Sequence, residues 1–107
     1  MRNSNLFHNL PKNSQESEII DQLFTHKNIT IERIVSTGQI TPKDDPYKQD
    51  HDEWVILLKG VAELWVEGRG NLLLNPGDYL FIPAKKPHLV TYTSIDPAAV
   101  WLAIHIH

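Results

Sequence analysis

From residue 29 onward the chain is a series of short apolar runs broken by glycine, proline and asparagine. Residues 29–36, ITIERIVS, are rich in β-branched side chains, which suit a pleated surface, and predict a strand. Residues 53–59, EWVILLK, are apolar at successive positions and predict a strand buried on both faces, broken at Gly60. Residues 61–67 alternate, with Ala62, Leu64 and Val66 on one face and Val61, Glu63 and Trp65 on the other. A Gly-rich turn follows at residues 67–71, then two strands around the turn Asn75-Pro76-Gly77-Asp78. LVTYTS and the ending VWLAIHIH complete the set. In the last segment, Val100, Leu102, Ile104 and Ile106 read as the core side. Trp101, Ala103, His105 and His107 are left for a pocket, a partner or water. Short strands with turns at this spacing predict an all-β sandwich or barrel.

Before residue 29 the period changes. Ile19, Ile20, Leu23 and Phe24 form a stripe at helical spacing, predicting a short helix over residues 17–24, with a strand as the rival reading because the segment is short. Residues 1–16 are polar and predict an arm, which Leu6, Phe7 and Leu10 would pin to the barrel or a partner. The expected organisation is an N-terminal arm and short helix over residues 1–28, packed on a β-barrel over residues 29–107. Residues 37–50 predict an exposed loop that becomes strand-like near Tyr47.

Composition narrows the function classes. The chain has 107 residues, room for one domain, and a net charge of −3, which disfavours nucleic acid as a partner. With no cysteine, disulfides, thiolate catalysis and Cys-rich zinc sites are excluded. No apolar run nears the ~18 residues of a membrane helix, and the first residues are too polar for a signal peptide, so a cytoplasmic protein is expected.

Two phrases then become specific. DEWVILLKG places Glu53 and Gly60 with six residues between them, and NPGDYLFIPAKKPH runs from Gly77 through Pro83 to His88. Together they resemble the two motifs of the cupins, over residues 29–107. The resemblance implies a double-stranded β-helix, or jelly-roll barrel, with a pocket inside one end, and pairing of two barrels as a homodimer, to which Trp65 or the arm around Phe7 could contribute. In metal-binding cupins two histidines and a glutamate of the first motif, with one histidine of the second, hold a divalent ion. Glu53 and His88 stand at two of those positions. The histidine pair is absent: Tyr47 and Gln49 stand there. The second motif's glycine and asparagine are replaced by Lys85 and Tyr92.

On a regular strand Tyr47, Gln49, His51 and Glu53 share one face, with His51 and Glu53 ~7 Å apart. The candidate metal set is therefore His51, Glu53 and His88. Two nitrogens and a carboxylate suit iron, manganese, nickel or zinc. The rival reading of His51 is a solvated rim residue, and of His88 a turn residue. Glu53 and His88 are the candidate catalytic pair, as general base and acid. Tyr47, Gln49 and His105 are candidate pocket groups. Two functions stay open: a metal-dependent enzyme of dioxygenase, isomerase or lyase type acting on a small polar metabolite, and a metal-free module that binds or senses a small molecule.

Overall fold

The computed structural model describes residues 4–107. Eight strands are present: β1 (Ile19–His26), β2 (Ile29–Ser36), β3 (Asp52–Lys59), β4 (Ala62–Val66), β5 (Gly70–Leu74), β6 (Tyr79–Ile82), β7 (His88–Thr93) and β8 (Ala99–Ile106). They form a five-stranded sheet in the order β1-β2-β8-β3-β6 and a three-stranded sheet in the order β5-β4-β7. Every pairing is antiparallel. The core lies between the sheets, where Val55, Leu57, Leu64, Leu80, Ile82 and Trp101 are buried together. Among the described residues no helix is long and apolar enough to cross a membrane.

The expected helix over residues 17–24 is instead strand β1, and no helix occurs among the described residues. A β-bulge explains the misleading pattern. The register with β2 shifts between Gln22 and Phe24, so Leu23 is an inserted residue and the period of two is broken. The free edge of β2 also gives these residues hydrogen-bond partners that a lone two-turn helix lacks. Residues 4–18 run as turns and extended chain. They are tied to the outer face of β2 by Arg33, whose guanidinium donates to the carbonyls of Leu6 and His8 at 3.1 and 2.6 Å. Arg33 also forms an ion pair with Asp21 on β1 at 2.6 Å.

β8 corrects a second expectation in part. Of the residues expected as core, Val100 is fully buried, Leu102 and Ile104 are half-buried and Ile106 is exposed, while Trp101 and Ala103 are buried on the opposite face with His105 beyond them. β8 is a central strand, hydrogen-bonded to β2 on one side and β3 on the other. Its apolar pattern therefore runs nearly unbroken on both faces, and the alternation carries little information about which face is inner. By contrast β4 alternates as expected, with Ala62, Leu64 and Val66 buried.

Gly60, after β3, has φ +82° and packs where a side chain cannot go. A Cβ there would lie 2.6 Å from the Ala98 carbonyl oxygen and 2.9 Å from the Ala99 Cα. Gly60→Ala adds left-handed strain to overpacking against backbone, and should lower the unfolding free energy by about 3 kcal/mol. A urea titration should show an earlier midpoint with an unchanged slope. A variant within about 0.5 kcal/mol of wild type would contradict this account of the β3–β4 turn.

Candidate functional site

Between the sheets a cavity of about 270 Å³ opens at one end of the barrel. Its floor includes Trp101, 4% exposed, whose indole N–H donates to the Ser36 hydroxyl at 3.3 Å. Its rim includes Ile20, 53% exposed, and Tyr47, 45% exposed. The polar groups come from both sheets and from the loop that joins them. β3 supplies Glu53, β7 supplies His88, β8 supplies His105 and β2 supplies Glu32.

Register explains why they meet. Glu53 on β3 pairs with His105 on β8, so both point inward from adjacent strands, with the Glu53 Oε1 4.0 Å from His105 Nδ1. His88 opens β7 and forms an isolated antiparallel bridge with Tyr47. The Tyr47 N–H donates to the His88 carbonyl at 2.9 Å, and the His88 N–H donates back at 3.0 Å. Their rings lie 5.5 Å apart. This bridge turns the loop toward the cavity and places Gln49 between the sheets.

Gln49 is the connecting group. Its side-chain N–H donates to Glu53 Oε1 at 2.8 Å, and the same nitrogen lies 3.5 Å from His88 Nε2. The amide orientation follows from chemistry, because a carboxylate only accepts. The His88 tautomer follows likewise: Nδ1 lies 3.0 Å from the Lys86 carbonyl, so Nδ1 carries the proton and Nε2 is free to accept. The backbone carbonyl of Gln49 is held in turn by the Lys85 N–H. Lys85 adopts φ +66°, the left-handed conformation that favours glycine, at the position where the cupin motif has glycine.

The expected ligand set is not brought together. Glu53 and His88 line the cavity with Gln49 between them, but His51 does not line it. Its Nε2 lies 2.9 Å from His105 Nδ1, and its ring lies 4.3 Å from that of His107. Among the described residues no group of three or more His, Asp or Glu side chains is placed to hold a metal ion. The ordinary cupin metal set therefore does not fit. The second histidine of the pair is Gln49, whose amide already donates toward both remaining ligand positions.

Tyr47, Gln49 and His105 do line the cavity. Trp101, on the β8 face left open for a pocket, lines it too, as do Glu18, Glu32 and Ser36, which were not singled out from sequence. Strand parity in ITIERIVS could have found Glu32, since it shares a face with Ile34 and Ser36. Glu18 was hidden by the helical reading. His105 Nε2 donates to Glu32 Oε1 at 2.9 Å, which leaves Nδ1 of a neutral His105 to accept from His51. Burial raises the Glu18 carboxyl above its ordinary range. The Ser36 hydrogen bond opposes this and the charge of Glu32 adds to it. The Tyr47 hydroxyl is also raised, first by burial and then by the charge of Glu18.

Against this geometry, comparison with known proteins is decisive for the family. The cupin domain model matches residues 33–105. The chain belongs to the cupin family. A Ralstonia eutropha protein, described as a candidate mannose-6-phosphate isomerase, is 36% identical, with a TM-score of 0.92 over 99% of this chain and 98% of that one. A cupin superfamily protein from Desulfitobacterium hafniense is 17% identical, with a TM-score of 0.78 over 99% of this chain and 92% of its own. A cupin from Methanocaldococcus jannaschii with a double-stranded β-helix is 16% identical, with a TM-score of 0.69 over 91% of this chain and 86% of its own. The last two bear on fold alone. Among curated proteins none matches.

His51 yields a pH prediction for this cupin. Burial, then the neighbouring His107 and His105, lower its pKa below the ordinary 6.5. The unfolded chain then binds the proton more tightly. The contribution of neutral His51 is fully present above about 6.5 and is lost as pH falls through the folded-state value. Denaturant midpoints followed from about pH 8 to about pH 5 should decline more steeply for wild type than for His51→Asn. Parallel curves would count against the His51–His105–His107 contact.

Proposed function

We propose that this cupin binds a small polar metabolite in its barrel cavity without a metal ion. One observation carries the reading: the Gln49 amide lies between Glu53 and His88, where its two N–H groups do the joining that a cation does in a metal-holding cupin. The cavity has the other features of a small-molecule site, with apolar walls and a few convergent polar groups. Glu53 and His88 bind and orient the ligand. With Nδ1 bonded to Lys86, His88 presents an accepting Nε2, and Glu53 presents a carboxylate oxygen.

A second reading, a phosphosugar isomerase, is favoured by the identity with the Ralstonia eutropha protein. Phosphate recognition calls for Arg, Lys or a cluster of backbone N–H groups, and no Arg or Lys lines the cavity among the described residues. The binding reading is preferred on that ground. It includes pairing of two copies. That part is supported by Tyr79, Phe81 and Trp54, apolar groups on the outer face of the five-stranded sheet, of which Tyr79 is 65% exposed and stacks on Trp54 at 5.4 Å.

Elemental analysis of tag-free protein incubated with iron(II), manganese, nickel or zinc, then dialysed, should find no stoichiometric metal. Gln49→His replaces the amide donor by a ring nitrogen beside Glu53 and His88, and should acquire stoichiometric nickel or zinc. Stoichiometric metal in the wild type would overturn the proposal. In sedimentation at micromolar concentration the chain should run as a dimer, and Tyr79→Asp should shift it toward monomer; a monomeric wild type would refute the pairing.

A further inference from the structure

The cavity is already the proposed binding site; its walls restrict what can occupy it. Three carboxylates line it, from Glu18, Glu32 and Glu53. No Lys or Arg does so among the described residues, and His105 is engaged with Glu32 at 2.9 Å. The remaining surface is largely hydrocarbon and aromatic, including Ile34, Val55, Ile82 and Trp101. Such a lining combines a negative field with apolar walls in a partly desolvated space, where charge interactions are stronger than in water. An anionic ligand would meet three like charges with no counter-charge. A hydrated metal ion would leave the apolar walls without a partner and finds no three-ligand set.

We infer that the ligand is a small organic ammonium ion, its N⁺–H groups directed at Glu18, Glu32 and Glu53 and its hydrocarbon body against Trp101 and the aliphatic wall. The inference rests on the metal-free binding reading and adds the ligand's charge and shape. Charge-assisted N⁺–H···O⁻ bonds would supply orientation. Trp101 and Tyr47 also line the cavity, and aromatic rings attract a cation held close to them. At ~30 Å³ per water, a cavity of about 270 Å³ accommodates about nine water-sized groups, which sets the ligand's scale at a short alkyl amine or diamine. Burial is the first cause that raises the Glu18 carboxyl and the Tyr47 hydroxyl, with the charge of Glu32 adding at Glu18 and that of Glu18 adding at Tyr47.

The test is an NMR titration of the full chain at pH 7.5 and fixed ionic strength, read at the Trp101 indole and His88 ring signals. The probes are butylamine, 1,4-diaminobutane, butyrate and a hexose 6-phosphate, each with and without a chelator. The amines should saturate these signals whether or not chelator is present, and butyrate and the sugar phosphate should leave them unmoved. Glu18→Gln, which keeps a polar group near Ser36 and removes the charge, should weaken amine binding at least tenfold. Glu32→Gln is the second variant should the first fail to fold. Saturation by an anion, chelator-sensitive amine binding, or unchanged amine affinity in a folded charge variant would each overturn the ammonium assignment while leaving the cavity a ligand site. Silence of both signals toward all four probes would overturn the assignment and the binding reading together.

Discussion

The position of β8 between β2 and β3 is the constraint on which the rest depends. That strand brings Trp101, Ala103 and His105 to the inner face, and its pairing sets Glu53 across from His105. Pairing with β2 sets Glu32 opposite Ala103, one strand over from His105, close enough for the 2.9 Å hydrogen bond between them. Side chains on a strand alternate between faces, so a register slip of one residue would exchange His105 for Ile104 and Trp101 for Val100. The cavity would lose its floor and its histidine together. Burial of Trp101 and Ala103 resists such a slip, because each belongs to the same packed cluster as Leu57, Leu64 and Ile82.

Within that frame the loop before β3 decides the chemistry. The Tyr47–His88 bridge and the Lys85–Gln49 bond attach the loop at two points, one before Gln49 and one at Gln49 itself. Gln49 thereby becomes part of the barrel wall. A left-handed Lys85 costs on the order of 1 kcal/mol more than glycine would, and its N–H holds the residue that joins Glu53 to His88. Local strain is thus coupled to the placement of a pocket group.

Much of the barrel was legible in the sequence. The β4 alternation, the turns at Gly60 and Asn75–Asp78, and the two motif phrases each matched what the fold required. Tyr47, Gln49 and His105, expected as pocket groups, and Glu53 and His88, expected as a catalytic and ligand pair, line one cavity. What escaped had physical causes. The bulge at Leu23 disguised β1 as a helix and hid Glu18 with it. The two-sided burial of β8 blurred its inner face. His51 shares strand parity with Glu53 only while the strand is regular, and β3 begins at Asp52; His51 lies just outside it and turns toward His105 and His107.

The cavity rim is built in part from a sheet edge. β1 pairs with β2 alone, its bulge interrupts that pairing, and Leu23 and Phe24 are exposed. Edge strands with few packed contacts are the first segments to open in native-state fluctuations. Because Glu18 and Ile20 belong to the rim, such fraying opens the cavity mouth without disturbing Trp101 at its floor. Entry of a ligand and order in the first strand are then two faces of one equilibrium. Whatever fills the barrel also fastens its outermost seam, so occupancy would be written in the amide-exchange protection of residues 19–26, about as far along the chain from His88 and His105 as the fold allows.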